Sequence, residues 1–102
     1  MQKRRSARII KRLEVKFISA GISFTGITSN ISAHGIFIRT KKGLAPGTTL
    51  EIELRLPDGE LIKLSGIVKR TVKTQLHDIK NGMGVELRHI PPKYTEFLNT
   101  IP

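Results

Sequence analysis

Two groups of polar side chains in this chain are of types that bind bases and phosphates. Arg4 and Arg8 lie near the amino terminus with three residues between them, and Asn30, Ser32 and Gly35 form an N-x-S-x-x-G segment further along. An arginine guanidinium donates two parallel hydrogen bonds to a guanine edge or to two phosphate oxygens. Asparagine amides and serine hydroxyls both donate and accept hydrogen bonds, and glycine permits close approach of the backbone. The two groups therefore suit a ligand that carries bases and phosphates.

The charge of the chain also points to an anionic partner. There are 18 Lys and Arg residues against 8 Asp and Glu residues, which leaves a formal net charge of +10. Such a balance favours nucleic acid, a nucleotide, a membrane surface or an acidic protein. Residues 1–12 contain no acid and six of the basic residues, Lys3, Arg4, Arg5, Arg8, Lys11 and Arg12. We expect residues 1–11 to form a flexible basic arm that closes over an anion, with a solvated basic tail as the alternative.

Length and composition limit the class of protein. A chain of 102 residues forms one small domain, and we assign residues 12–102 to it. The chain has no cysteine, which excludes disulfides and thiolate metal sites and fits a cytoplasmic location. No apolar run approaches the roughly 20 residues that span a bilayer, so we expect no membrane insertion, and the charged amino terminus does not have the pattern of a signal peptide.

Alternation of apolar and polar residues predicts six short strands. They are expected from Leu13 to Ser19, from Ile22 through Ile27, at Gly35–Arg39, at Leu50–Leu56, from Leu61 to about Thr71, and at Met83–Leu87. Gly26 is expected to permit a bulge or bend. Pro57–Glu60 has the composition of a turn, and residues 73–82 are polar and predict a loop.

The end of the chain predicts a short helix. Pro91-Pro92 suits a helix start, and apolar residues follow at helical spacing, namely Tyr94, Phe97, Leu98 and Ile101. A helix of about two turns would close one end of a barrel or lie against its side. The predicted fold is therefore all-β, a small six-stranded antiparallel β-barrel with a short C-terminal helix.

The two polar groups, in this order, resemble the paired signature of the PilZ domain family. That signature is an RxxxR arm followed by a [D/N]xSxxG turn, and here 21 residues separate Arg8 from Asn30. The segment at residues 82–87 also resembles the last barrel strand of PilZ domains. In the order of elements, the resemblance covers nearly the whole chain.

The resemblance implies a receptor for cyclic di-GMP, a second messenger of two guanosines joined through two phosphates. The arm arginines would bind guanine edges and phosphates, the asparagine and serine would hold a guanine from the barrel side, and the glycine would shape the turn. The implied site comprises Arg4, Arg5, Arg8, Asn30, Ser32 and Gly35. The ligand would bind as one molecule or as an intercalated dimer, without a further cofactor. Ordering of the arm would then pass the signal to a protein partner.

Two alternatives remain open. The charge also fits a small-barrel protein that binds nucleic acid, although the chain has one Tyr, four Phe and no Trp for stacking bases, and we expect no DNA or RNA partner. A degenerate PilZ domain that only docks to a protein is the second alternative. We expect no enzyme and no metal site, because His34, His77 and His89 lack the spacing of metal ligands. Lys69 and Arg70 are basic neighbours on a predicted strand that no motif assigns to the site.

Overall fold

The computed structural model describes residues 8–73 and 81–101. This part of the chain contains strands β1 (Ile9–Ile10), β2 (Glu14–Ser19), β3 (Ile22–Ile31), β4 (Gly35–Arg39), β5 (Thr49–Arg55), β6 (Leu61–Val72) and β7 (Gly82–Leu87), and helix α1 (Pro92–Asn99). Arg4, Arg5 and most of the predicted 73–82 loop lie outside the described residues.

Six of the strands close into an antiparallel barrel. Their order is β3-β2-β5-β6-β7-β4, and β3 also pairs with β4, which joins the two ends of the sheet. Closure removes the unpaired edges that an open sheet of this size would expose. The predicted all-β barrel of six strands with a C-terminal helix is thus confirmed.

A seventh strand, β1, pairs with the far end of β3 through Ile9↔Ile31 and Ile10↔Asn30. The sequence places these residues in the arm, and two residues are too few for a strand period to be recognised. Ile9 packs against the core, whereas Ile10 is 85% exposed. The described part of the predicted arm, from residue 8 onward, is therefore attached to the barrel through β1.

The barrel interior is filled by the apolar residues of the alternating pattern. On the β5–β6 hairpin, inward-facing Leu50, Ile52 and Leu54 pack with Ile62 and Leu64. Burying each such side chain stabilises the fold by about 1.5–3 kcal/mol. The turn of this hairpin forms as predicted, with Gly59 at a φ of +93°.

The sequence predicts a bulge or bend in β3 at Gly26, but the structure has its bulge further along this strand. Gly26 pairs regularly with Val15, so the prediction of a bulge at this glycine is wrong. A Cβ on Gly26 would lie 2.8 Å from the Arg39 carbonyl oxygen, and the close approach of β4 explains the glycine. The register shift instead falls between Thr28 and Asn30.

The bulge between Thr28 and Asn30 determines which face of the sheet the Asn30 side chain lies on. Thr28 and Ile31 are both fully buried, although a regular strand would point residues three apart to opposite faces. The extra residue at the bulge restores Ile31 to the interior. Asn30 is consequently turned to the outer surface of the barrel.

Helix α1 begins after Pro91 with Pro92 in its first turn, as predicted. Tyr94 is fully buried in the core, and Phe97, Leu98 and Ile101 are partly buried against it. Within residues 8–73 and 81–101, we find no helix with the length and apolar character needed to traverse a membrane.

Candidate functional site

Arg8, the described arginine of the first motif half, meets Asn30 of the second half at the outer surface of the barrel. Arg8 Nη1 donates a hydrogen bond to Asn30 Oδ1, and the Arg8 side chain is exposed. The β1–β3 ladder positions this contact, because Ile10 pairs directly with Asn30. Residues separated by 22 positions in the chain are thereby brought together.

Buried Thr28 holds the segment between β1 and β2 on the barrel. Its hydroxyl donates to the Lys11 carbonyl oxygen at 2.6 Å and accepts from the Leu13 amide at 2.8 Å. The Thr28 amide in turn donates to the Leu13 carbonyl oxygen at 2.9 Å. These three bonds satisfy the buried polar groups and fix the path of the chain next to Asn30.

Ser32 forms the turn that follows β3. Its hydroxyl accepts a hydrogen bond from the Gly35 amide at 3.1 Å and lies 3.2 Å from the Gly35 carbonyl oxygen, to which it donates. The residue is only 5% exposed. In this conformation Ser32 stabilises the turn, and its contact with a guanine stays a prediction.

Gly35 is the first residue of β4 and lies close to β7. A Cβ at this position would be 3.2 Å from the Val85 carbonyl oxygen, which is tighter than most contacts of that type. Its φ is outside the left-handed region, which Gly21, Gly47 and Gly59 occupy. The glycine therefore shapes the turn through strand spacing rather than through a positive φ.

A contact that the sequence does not reveal joins the motif turn to helix α1. The Tyr94 hydroxyl donates a buried hydrogen bond of 2.6 Å to the Ser32 carbonyl oxygen. Burial raises the pKa of the Tyr94 phenol above its ordinary value, so the phenol remains a neutral donor. The only sequence signal is that the single tyrosine of the chain lies on an apolar helix face.

Removing this hydroxyl should destabilise the barrel. We expect Tyr94→Phe to lower the free energy of unfolding by about 1–3 kcal/mol, because the Ser32 carbonyl would lose its buried donor. Ser19→Ala is the control, since it also removes a hydroxyl bound to a backbone carbonyl, but at an exposed site. Urea denaturation measures the free energy of unfolding of both variants. A Tyr94→Phe variant as stable as Ser19→Ala would refute the role of this hydrogen bond.

A separate concave surface lies on the outer face of β2, β3 and β5. Its volume is about 1090 Å³, and its lining includes Ile27 and Leu61, which are 48% and 45% exposed. None of Asn30, Ser32 and Gly35 lines it. The described motif residues therefore lie outside this concavity. In the described part of the chain, we also find no cluster of acidic or histidine side chains that could hold a metal ion.

Comparisons with known proteins agree with this fold. The chain has a TM-score of 0.78 with the Bacillus subtilis inhibitor of motility MotI/DgrA at 25% identity, over 98% of this chain and 49% of that chain. It has a TM-score of 0.66 with the PilZ domain of CeSA from a cellulose-synthesizing bacterium at 21% identity, over 93% of this chain and 94% of that chain. This chain thus spans about half the length of MotI/DgrA.

A search of curated proteins found no match. The family model of the PilZ domain matches residues 2–100, which include both the arginine pair and the N-x-S-x-x-G turn. The chain therefore belongs to the PilZ domain family.

Proposed function

We propose that this chain is a cyclic di-GMP receptor. PilZ domains bind and regulate rather than catalyse, and the family includes receptors for this dinucleotide. The observation that carries the proposal for this chain is the contact between Arg8 and Asn30. It places a cation and an amide from the two motif halves side by side on an exposed surface.

These two side chains have the chemistry to bind a guanine nucleotide. The Arg8 guanidinium offers donors for guanine O6 and N7 or for a phosphate. Asn30 is held outward by the bulge and can both donate to and accept from a base edge. Ser32 keeps the turn in place beneath them. Because the ligand carries two negative phosphates, the net charge of +10 would also speed its association.

Arg4 and Arg5 complete the proposed site from the amino-terminal side. They precede β1, in which Ile10 pairs with Asn30 and Ile9 pairs with Ile31, so this antiparallel register leads backwards along the chain from Asn30 toward the Ser32 turn. In the proposed mechanism, both arginines contact the ligand and the segment becomes ordered over it. Ligand binding would then create a surface that a protein partner reads. We place this receptor in the cytoplasm.

The charge also fits a protein that binds nucleic acid, and salt dependence distinguishes the two functions. Binding to single strands releases counterions and gives a log–log slope near −0.7 for each phosphate contact. A dinucleotide has only two phosphates, so its affinity should fall modestly between low and physiological salt. We expect binding of cyclic di-GMP with a shallow salt dependence, and weak, steeply salt-sensitive binding of RNA.

Isothermal titration calorimetry at two salt concentrations tests this expectation. Cyclic di-GMP is the ligand, and GMP and a single-stranded RNA are the controls. Tight RNA binding at physiological salt without measurable affinity for cyclic di-GMP would replace the receptor function by nucleic-acid binding. Absence of binding to all three would leave the protein-docking alternative.

A further inference from the structure

The concave surface on the outer face of β2, β3 and β5 is crossed by a row of paired residues. Leu61 at the start of β6 pairs with Arg55 on β5. Glu14 on β2 pairs with Ile27 on β3, and Arg55 Nε lies 3.7 Å from Glu14 Oε1, which joins the two pairs. Neighbouring strands are about 4.8 Å apart, so the three spacings from Leu61 to Ile27 amount to roughly 14 Å. Two apolar side chains therefore lie at the ends of the row, with opposite charges between them.

The two apolar side chains are exposed within one concavity. Ile27 is 48% exposed and Leu61 is 45% exposed. Single exposed apolar residues are common on soluble proteins, but these two line the same volume of about 1090 Å³. Pockets for small molecules usually have volumes of about 300–1,000 Å³. The size and the distance between the apolar residues therefore suit a segment of polypeptide.

Basic side chains outnumber acidic ones around this surface. Its described lining contains two acids, Glu14 and Glu53. Glu14 lies beside Arg55, and Glu53 pairs across the ladder with Lys16. The described lining contains five basic residues, namely Arg12, Lys16, Arg39, Lys41 and Arg55. The excess of three positive charges over the two acids favours an acidic occupant.

Arg12 is held at this surface by the fold. The Thr28 hydroxyl donates to the Lys11 carbonyl oxygen and accepts from the Leu13 amide, and these residues flank Arg12 on both sides. The Arg12 side chain is exposed, and among the described residues we find no ion pair that it forms with an acid. Because the backbone of Arg12 is already fixed, less conformational freedom is lost when its side chain binds an anion.

We propose that this concave surface binds an acidic segment of a partner protein. Apolar side chains of the segment contact Ile27 and Leu61, and its carboxylates bind Arg12 and the neighbouring cations. Nucleic acid suits the surface less well, because none of its described lining residues is aromatic and bases would have no ring to stack on. A second copy of the chain would bring a further charge of +10. The inference goes beyond dinucleotide binding and does not depend on it.

A synthetic peptide tests the chemistry of the proposed occupant. The probe is a fluorescein-labelled peptide of about eight residues that alternates leucine and glutamate, so that an extended conformation would exceed the roughly 14 Å between the apolar residues. We expect the unaltered chain to bind it in fluorescence anisotropy. Replacing every glutamate of the peptide by lysine should weaken binding at least about tenfold, because like charges would then face each other.

Variants of the chain test whether the peptide occupies the concave surface. Ile27→Ser and Leu61→Ser should each weaken peptide binding by about 3- to 10-fold, through loss of apolar contact, and Arg12→Ala by about threefold. Ile22→Ser and Arg88→Ala are the matched controls. Ile22 is 57% exposed on β3 and Arg88 is also exposed, but neither lines the concave surface. Each control should change the affinity by less than about twofold.

Nuclear magnetic resonance of the unaltered chain locates the peptide independently of any variant. Changes in amide chemical shift should centre on β2, β3 and β5, and changes centred on the turn at residues 30–35 would overturn the inference. Absence of peptide binding, or equal losses in the variants and their controls, would also overturn it. A single-stranded RNA or phosphatidylserine vesicles that bound instead of the peptide, and bound Ile27→Ser more weakly, would assign the surface to nucleic acid or to a membrane.

Discussion

Replacing Arg8 by alanine should weaken binding of cyclic di-GMP by about 30-fold or more and leave the unliganded barrel almost as stable as before. Truncating one member of a charged hydrogen-bonded contact costs about 2–5 kcal/mol of binding free energy, which corresponds to that loss of affinity. The barrel should lose less than about 0.5 kcal/mol, as is usual for exposed substitutions. Arg8 is exposed, and the adjacent Ile9 provides the core contact of β1. Calorimetry measures the affinity, and thermal denaturation measures the stability.

Arg12→Ala is the matched control for this variant. Arg12 is also exposed, lies four residues further along the chain, and lines the concave surface rather than the motif site. Similar losses of affinity in both variants would mean that Arg8 contributes only to the overall positive charge. A large fall in the unfolding midpoint of Arg8→Ala would mean that the residue supports the barrel, contrary to its proposed role as a ligand contact.

Cyclic di-GMP should bind at least about fivefold more tightly than cyclic di-AMP. Adenine presents an amino donor where guanine presents the O6 acceptor, so a bidentate arginine loses one hydrogen bond and faces a donor. Each good bidentate contact to a base contributes about 1–3 kcal/mol of discrimination. Competition calorimetry with the two dinucleotides measures the ratio directly.

The Arg8→Ala variant serves as the internal control for this preference. If Arg8 binds a guanine edge, its removal should lower the affinity for both dinucleotides. It should also reduce the ratio of the two affinities. If Arg8 contacts only phosphate, the ratio should persist in the variant. Equal affinities of the unaltered chain for both dinucleotides would refute base reading by the arginines.

Much of the fold follows from local patterns in the sequence. Alternation such as Leu50, Ile52 and Leu54 specifies both a strand and its buried face, because successive residues of a strand point to opposite sides. The β5–β6 turn depends on the conformational preferences of neighbouring residues, and so does the start of helix α1 at the proline pair. These elements were predictable because their causes lie within a few residues of each other.

The candidate site is predictable in composition but not in arrangement. The motif includes Arg8 and Asn30, but their contact depends on β1. This strand is too short to show the alternation of apolar and polar residues that predicts a strand. Asn30 faces outward only because of the bulge after Thr28. The contacts of Arg4 and Arg5 with ligand, and the limits of the predicted arm at residues 1–11, stay predictions.

What the sequence by itself determined is the family signature, the strand pattern and the positive charge that suits an anionic ligand. Only the tertiary structure decided that Tyr94 donates to the Ser32 carbonyl and that Arg8 contacts Asn30. Both depend on strand register and barrel closure. Register joins residues that are tens of positions apart, and a shift of one residue would turn a side chain to the opposite face. No local pattern contains that information, so these contacts became visible only in the folded barrel.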